Sequence, residues 1–204
     1  AGFCTGSLVN NTSNDGTPYF LTADHCGGVD GAASMNRWEF YFNYEATGCT
    51  TPNTPPNYDA ITGCSLKARP SGAQSSGTDF LLLLLNTDED ELEGIGAYYN
   101  GWDLSTTGAS SGVGIHHPAG DIKKISIYTQ QLTAATYNAQ NTTNGHWKVW
   151  WQTTTGVTEG GSSGSPIFNG ANKLIVGTLT GGASSCTATA NSLYDLYGRF
   201  DLHW

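Results

Sequence analysis

The sequence is poor in charged residues and poorer still in basic ones. Charged side chains make up 12% of its 204 residues, whereas an average globular chain has roughly 25%. Lys and Arg together number 8 against 17 for Asp and Glu, so the formal net charge is −9. A protein that binds nucleic acid needs a basic surface, and an anionic membrane surface would repel this chain. We therefore expect neither nucleic acid nor a membrane as its partner.

Long hydrophobic runs and the composition of helical bundles are also missing. The longest apolar run, Phe80–Leu85, is far shorter than the about 20 residues that a membrane-spanning helix requires. The chain has a single Met, and no window of about twelve residues shows the apolar stripe of a helix. With 27 Gly and 11% aromatic residues, the composition favours short strands joined by polar turns, and hence an all-β fold.

Apolar residues that alternate with a period of two, between turn signals, predict the strands. The predicted strands are Phe3–Val9, Pro18–Thr22, Arg37–Asn43, Ile61–Lys67, Phe80–Leu85, Val113–His117, Lys124–Thr129, Trp147–Gln152, Lys173–Thr178 and Leu193–Phe200. Many short, evenly spaced strands indicate a sandwich or barrels. The acidic stretch Asp88–Glu93 lacks the ligand spacing of a calcium loop, so we expect a solvent-exposed connection there.

The chain has five cysteines, and no two of them have the CxxC spacing of a zinc or redox motif. Scattered cysteines in a chain of low charge favour an oxidising, extracellular compartment, so we expect a secreted protein. The chain begins at Ala1 without the pattern of a signal peptide, and we expect a processed chain or a fragment.

Three segments carry residues of catalytic type. Phe20–Cys26 places His25 just after a predicted strand, and Asp79 opens the leucine-rich strand, where an unpaired carboxylate would be costly. Gly160–Pro166 consists of small residues, as in a tight turn that presents a hydroxyl and converging backbone N–H groups. Each segment alone is equally open to a structural interpretation.

Together the segments resemble the trypsin-like serine proteases, which have a TAxHC box, an Asp before an apolar strand and a GxSGxP box in that chain order. The similarity is greatest to bacterial lysyl endopeptidases and extends over nearly the whole chain. It is carried by Cys4–Asn11, Ile115–Pro118, Gly156–Pro166 and Gly181–Cys186.

This resemblance implies two antiparallel β-barrels, over residues 1–95 and 96–204, with the active site in the cleft between them. Ser163 would attack the scissile carbonyl, His25 would act as general base, and Asp79 would orient the imidazole. The backbone N–H groups of Gly161 and Ser163 would form the oxyanion hole. The expected protein is a monomeric serine endopeptidase that acts on protein or peptide substrates and needs no metal or organic cofactor.

The resemblance also points to a specificity pocket. Trypsins carry an Asp six residues before the nucleophile, where this chain has Val157. Asp195 matches the position of the pocket Asp in lysyl endopeptidases, and Glu159 is a second acid near the nucleophile. We predict cleavage after lysine, with arginine or a neutral residue left open and an ordinary strand position as the alternative for Asp195. The other candidate substrate-binding residues are Thr180, which replaces a His of those endopeptidases, Gly181 and Gly182.

Cysteine pairing is predicted from the same comparison. It implies a Cys4–Cys26 disulfide, leaves Cys49 with Cys64 as a candidate pair, and leaves Cys186 alone. Trypsins have an Asp before the nucleophile that binds a newly cut N-terminus, so Ser162 at that place argues against such activation. We also expect the first barrel to lack its first strand.

Two alternative functions remain open from the sequence. One is a non-catalytic binding module that keeps the protease fold because the chain is incomplete. The other is a carbohydrate-active β-protein, which would need two carboxylates flanking a cleft. Structural hydrogen bonding or packing is the preferred interpretation for the remaining histidines and the tryptophan cluster: His116, His117, His146, His203, Trp147, Trp150 and Trp151.

Overall fold

The computed structural model describes residues 2–203, which form mainly short β-strands. In chain order the strands are β1 (Ser7–Leu8), β2 (Tyr19–Ala23), β3 (Glu39–Phe42), β4 (Asp59–Thr62), β5 (Cys64–Ala68), β6 (Phe80–Leu85), β7 (Gly112–His116), β8 (Lys124–Tyr128), β9 (Thr133–Ala135), β10 (His146–Trp150), β11 (Pro166–Asn169), β12 (Ile175–Gly182) and β13 (Tyr194–Arg199). Within this range the helices are α1 (Ala32–Met35), α2 (Glu89–Gly94) and the 3₁₀ turns Asp24–Cys26, Pro118–Gly120, Ala190–Ser192 and Phe200–Leu202. None of these helices is long and apolar enough to cross a membrane.

The strands form two antiparallel sheets and a separate ribbon. The first sheet has the order β1-β2-β6-β5, the ribbon pairs β3 with β4, and the second sheet has the order β8-β7-β11-β12-β13-β10-β9. The all-β class is therefore confirmed, but pairing among the described strands leaves both sheets open at their edges instead of closing them into barrels. The boundary between residues 95 and 96 stays a prediction.

The predicted strand Ile61–Lys67 is wrong in one respect, because the chain turns inside it. Gly63 has φ +87°, a backbone conformation that residues with a Cβ rarely adopt. It separates β4, which pairs with β3, from β5, which pairs with β6. The acidic stretch Asp88–Glu93, where we expected a solvent-exposed connection, is helical. It forms α2, and the Asp88 carboxylate caps its first turn by accepting a 2.9 Å bond from the Glu91 N–H.

Buried apolar side chains form one cluster within each sheet and a third cluster between them. Because β6 lies between β2 and β5, its leucines pack deep in the first cluster, and Leu81 and Leu83 are completely buried. Burying such a side chain stabilises the fold by roughly 1.5–3 kcal/mol. The third cluster contains residues of both sheets and so fixes the end of β2 and the start of β6 against β11 and β12. It comprises Val9, Leu21, Phe80, Phe168, Ile175 and Phe200.

Candidate active site

His25 and Asp79 meet where two paired strands end and begin. Ala23 of β2 lies opposite Phe80 of β6, so the turn after β2 is adjacent to the residue before β6. The His25 Nδ1 atom lies 2.7 Å from Asp79 Oδ2, and the His25 backbone N–H donates to Asp79 Oδ1 at 3.0 Å. Asp79 is fully buried. A carboxylate at Nδ1 stabilises the tautomer that carries its proton there, which leaves Nε2 as a proton acceptor.

A second buried carboxylate fixes the turn that holds His25. Asp24 is completely buried, and its two oxygens accept bonds of 2.6 and 2.9 Å from the Arg69 guanidinium. The Ser75 N–H donates to the same carboxylate at 2.8 Å. The hydrogen bond to Asp24 raises the pKa of Arg69. Because Arg69 follows β5 and Ser75 lies in the segment that leads to Asp79, the pair connects the two loops of the candidate site.

The disulfide between Cys4 and Cys26, which the resemblance implied, is present and packs beside His25. The Cα atoms of Cys4 and Cys26 lie 6.2 Å apart, and one ring nitrogen of His25 lies within 4.8 Å of both sulfurs. Because both sulfurs are used in the disulfide, this group cannot bind a metal ion through them.

The candidate Cys49–Cys64 disulfide is not formed. Cys64 is buried in the core of the first sheet, whereas Cys49 is exposed, and both are free. Burial raises the pKa of the Cys64 thiol to about 11, so it stays protonated and packs as a small apolar side chain. Cys186 is free and exposed.

Close contact between backbones brings Ser163 beside β2. The Thr5 N–H donates to the Ser163 carbonyl at 2.8 Å. Gly164 has φ +80°, and a Cβ on it would lie 2.2 Å from Thr22 Oγ1 and 2.6 Å from the Ala23 nitrogen. Only glycine therefore allows the loop to lie against the end of β2.

The Ser163 hydroxyl itself makes no hydrogen bond to His25 within the described chain. The Ser163 carbonyl lies 3.9 Å from Cys26 Sγ, next to His25 in sequence. The structure thus pairs His25 with Asp79 and brings the Ser163 backbone beside them, but it does not join nucleophile to base. Such bonds are often long without a substrate.

Three backbone N–H groups of the loop Gly160–Ser165, those of Gly160, Gly161 and Ser163, donate no hydrogen bond to the described residues. Among the described residues, neither Gly161 nor Ser163 donates a hydrogen bond through its N–H. The N–H groups of Ser162, Gly164 and Ser165 are all occupied, by the carbonyls of Glu159, Leu179 and Ser162. The unused N–H groups thus include those of Gly161 and Ser163, the pair that the resemblance assigns to an oxyanion hole.

Asp195 is buried and is held by neutral donors. Its Oδ2 atom accepts bonds from Trp151 Nε1 at 2.5 Å, Thr158 Oγ1 at 2.7 Å and Ser184 Oγ at 2.6 Å. A Cβ on Gly182 would lie 2.1 Å from its Oδ1 atom, and this oxygen accepts no hydrogen bond from the residues that the structure describes. The three bonds could not be predicted from the sequence, because their donors lie 11 to 44 positions from Asp195.

The remaining substrate-binding candidates lie around β12. Thr180 is buried, and its hydroxyl is 3.1 Å from His146 Nε2. A Cβ on Gly181 would lie 3.0 Å from the Tyr137 hydroxyl oxygen. The Glu159 carboxylate accepts a 3.4 Å bond from the Cys186 N–H, so it contacts the exposed Cys186 segment.

Three other histidines are buried and neutral, in agreement with their structural interpretation. Burial lowers the pKa of His116 and of His146 to about 4, and that of His203 to about 3. His117 is less buried. It stacks on Tyr44, and burial lowers its pKa as well.

This fold is the chymotrypsin type of the serine proteases. The chain is similar to the thermostable serine protease AL20 from an extremophilic microorganism (TM-score 0.65, 15% identity, 97% of this chain and 85% of that chain). It is also similar to a Glu endopeptidase (TM-score 0.55, 18% identity, 96% and 79%).

The family described as lysyl endopeptidase, C-terminal domain, matches residues 1–198, so the chain belongs to that family. A curated relative, the lysyl endopeptidase of Pseudomonas aeruginosa, is 29% identical over 204 residues. The match covers 97% of this chain but only 41% of the relative's length.

Proposed function

We propose that the chain is the catalytic domain of a secreted serine endopeptidase, with His25, Asp79 and Ser163 as its triad. The observation that carries the proposal is the pairing of His25 with the buried Asp79 carboxylate. The position of Ser163 supports it, because Gly164 packs against the end of β2, two residues before His25, and the Thr5 N–H donates to the Ser163 carbonyl.

The reaction follows from the role of each group. Ser163 Oγ forms a bond to the substrate carbonyl carbon while His25 Nε2 accepts the hydroxyl proton. The resulting oxyanion is stabilised by the Gly161 and Ser163 N–H groups, and His25 returns the proton to the amine that leaves. Water then attacks the acyl-enzyme by the same sequence of steps, releases the acid and restores Ser163. Asp79 stabilises the imidazolium that forms both when the acyl-enzyme is made and when it is hydrolysed.

Cleavage after lysine is the proposed specificity. Asp195 forms no ion pair among the described residues, and its three partners at Oδ2 are neutral. A carboxylate in that position retains an uncompensated negative charge, which a lysine ammonium compensates. Thr158, one of the three donors, is five residues before Ser163 and bonds Asp195 directly, which supports a role for Asp195 near the nucleophile.

The compartment and the oligomeric state are inferred from chemistry. The Cys4–Cys26 disulfide next to His25 favours an oxidising compartment, in keeping with secretion. Protein or peptide substrates are proposed on the same basis as the triad. We propose a monomer, because the site is assembled from one chain.

Covalent labelling by a fluorophosphonate tests the proposal. We expect a single label on Ser163 and none on the Ser163→Ala variant. Peptidase turnover should fall by at least about 10⁴-fold in Ser163→Ala, and His25→Ala in the same chain should cost little more.

The lack of a Ser163–His25 hydrogen bond favours a second candidate, a non-catalytic module with the protease fold. That candidate predicts no labelling of the wild-type chain. It also predicts no cleavage of a peptide library, which would at the same time define the residue preferred before the scissile bond.

A further inference from the structure

A buried chain of side-chain hydrogen bonds begins at Ser162, the residue between the two proposed oxyanion donors. Ser162 is completely buried, and its Oγ atom lies 2.8 Å from His116 Nδ1. The other ring nitrogen, His116 Nε2, lies 2.9 Å from Ser126 Oγ. These two hydrogen bonds therefore join the nucleophile loop to β7 and β8 of the second sheet.

The direction of these bonds follows from the donors available. The Glu159 N–H donates to Ser162 Oγ at 3.2 Å, and among the described residues His116 Nδ1 is the only acceptor bonded to the Ser162 hydroxyl. We assign its hydroxyl proton to the bond with His116 Nδ1 and the ring proton to Nε2, which donates to Ser126. This assignment requires a neutral ring, and burial lowers the pKa of His116 to about 4.

The second sheet holds both His116 and Ser126 in paired strands. His116 lies opposite Lys124 in the β7–β8 pair, so Ser126, two residues along β8, is on the same face. The same end of β7 contacts the loop again, because the Ala119 N–H donates to the Gly160 carbonyl at 2.6 Å. The loop is thus held to the sheet on both sides of Gly161.

We propose that His116 and Ser162 are positioning residues, which fix the peptide groups of Gly161 and Ser163 so that both N–H groups bind the oxyanion. The inference rests on the proposed endopeptidase function. Neither side chain touches the reacting atoms. Their loss therefore weakens a contact that forms only in the transition state, and it lowers kcat with little change in KM.

Two substitutions at position 116 separate the two ends of the imidazole. Asn places an amide oxygen near the position of Nδ1 and can still accept from Ser162, but it does not reach Ser126. Gln places its amide near Nε2 and keeps Ser126, but it has no acceptor at the position of Nδ1. We expect His116→Asn to keep kcat within about 3-fold, and His116→Gln to lower it about 10- to 100-fold. The loss expected for His116→Gln is smaller than the about 10²–10³-fold loss of kcat caused by removing an oxyanion donor, because the donor is displaced and not removed.

Ser162→Ala completes the comparison. It should lower kcat at least as much as His116→Gln does, because it also removes the acceptor of the Glu159 N–H. The double variant should lose no more than Ser162→Ala alone, because both substitutions remove the same Ser162–His116 bond. The rate of fluorophosphonate labelling should follow the same order, since the phosphonyl oxygen occupies the oxyanion site. Circular dichroism and thermal unfolding establish that each variant is folded, and ring ¹⁵N NMR should show His116 as the neutral Nε2–H tautomer.

The outcomes are distinguishable. A wild-type chain that is not labelled would overturn the proposed function and, with it, this inference. Labelling of the wild type with unchanged rates in Ser162→Ala and His116→Gln would overturn the inference alone. Equal losses in the Asn and Gln variants, or an effect on KM alone, would also overturn it, because the bond to Ser162 would then not be the one that matters.

Discussion

At the scale of single residues, Asp195 combines complete burial with the absence of any cationic partner in the described chain. Its Oδ2 atom is saturated by three neutral donors, and its Oδ1 atom lies beside Gly182. Lysine and arginine would meet this oxygen differently, because the ammonium is compact whereas the guanidinium is a broad, planar fork. An oxygen that accepts no hydrogen bond from the described residues suits the compact group.

Asp195→Asn should therefore lower kcat/KM for peptides with lysine before the scissile bond. Loss of one partner from a buried, hydrogen-bonded charge pair costs about 2–5 kcal/mol, which corresponds to roughly 30-fold to several thousand-fold. The measurement compares matched peptides with Lys, Arg, Leu and Glu on the wild-type chain and the variant.

The leucine peptide is the internal control for this substitution. Asn has one acceptor oxygen for Trp151, Thr158 and Ser184, so a structural disturbance would slow all peptides alike. Equal losses on lysine and leucine would show that Asp195 is structural. A wild-type preference for leucine or glutamate would contradict the lysine assignment and leave the endopeptidase proposal intact.

The family resemblance could indicate His25, Asp79, Ser163 and the Cys4–Cys26 disulfide, because each stands in one of the short boxes that carry it. Their supporting partners could not be found in this way. Arg69 is separated from Asp24 by 45 positions, and no local pattern marks it as a partner. A hydrogen bond between distant residues depends on the packing of the sheets, which periodicity does not determine.

At the scale of elements, the Asp24–Arg69 pair joins the turn after β2 to the segment after β5. Both guanidinium contacts are direct, and the carboxylate is completely buried. A buried pair adds little net stability compared with an apolar pair, but a single buried charge left without its partner is costly. The pair therefore makes the position of His25 sensitive to Arg69.

Arg69→Met should reduce the free energy of unfolding by about 3–5 kcal/mol, because it leaves the Asp24 carboxylate buried without a cation. Urea unfolding monitored by tryptophan fluorescence measures the change. Lys123→Met is the matched control, since Lys123 pairs with Glu45 at the surface, and an exposed pair contributes about 0–1 kcal/mol. Similar losses in the two variants would contradict the assigned role of Arg69.

The bounds of the strands show which of them the sequence pattern could predict. The leucine run predicted β6 with its observed bounds, because a central strand is apolar on both faces. Short elements were missed: β9 is a short edge strand, and β11 begins at Pro166 directly after the small-residue loop. Neither has enough alternating residues to differ from a loop, so only pairing with their neighbours defines them.

At the scale of the whole molecule, the third apolar cluster and the contacts around Ser163 join the two sheets. His146 and His203 lie near this junction, hydrogen bonded to Thr180 and to the pair Thr78 and Thr178, respectively. Burial lowers the pKa of both histidines, and repulsion by His146 lowers that of His203 further. Below about pH 6.5 these histidines stay neutral in the folded state because they are buried. Acid therefore lowers the stability of the folded state through them.

Stability should fall as the pH is lowered from 6.5 to 5. His116 and His146 have folded pKa values of about 4 and His203 one of about 3, below the about 6.5 of an unfolded chain. The unfolded state then binds more protons in this window, so each histidine contributes at most about 1.4 kcal/mol per pH unit of lost stability. Above about pH 6.5 none of this stability is lost, because the histidines are then neutral in both states.

Urea unfolding at several pH values between 5 and 7 measures this slope, and most unfolded carboxylates stay ionised in that range. His146→Gln should flatten the slope by about one third of the total from the three histidines, because its amide can still bond Thr180 but cannot titrate. Repeating the series in 0.5 M NaCl is the control, since salt screens surface charges and leaves buried groups largely unaffected. An unfolding free energy that stays constant or rises between pH 6.5 and 5 would contradict the neutral, buried state of these histidines.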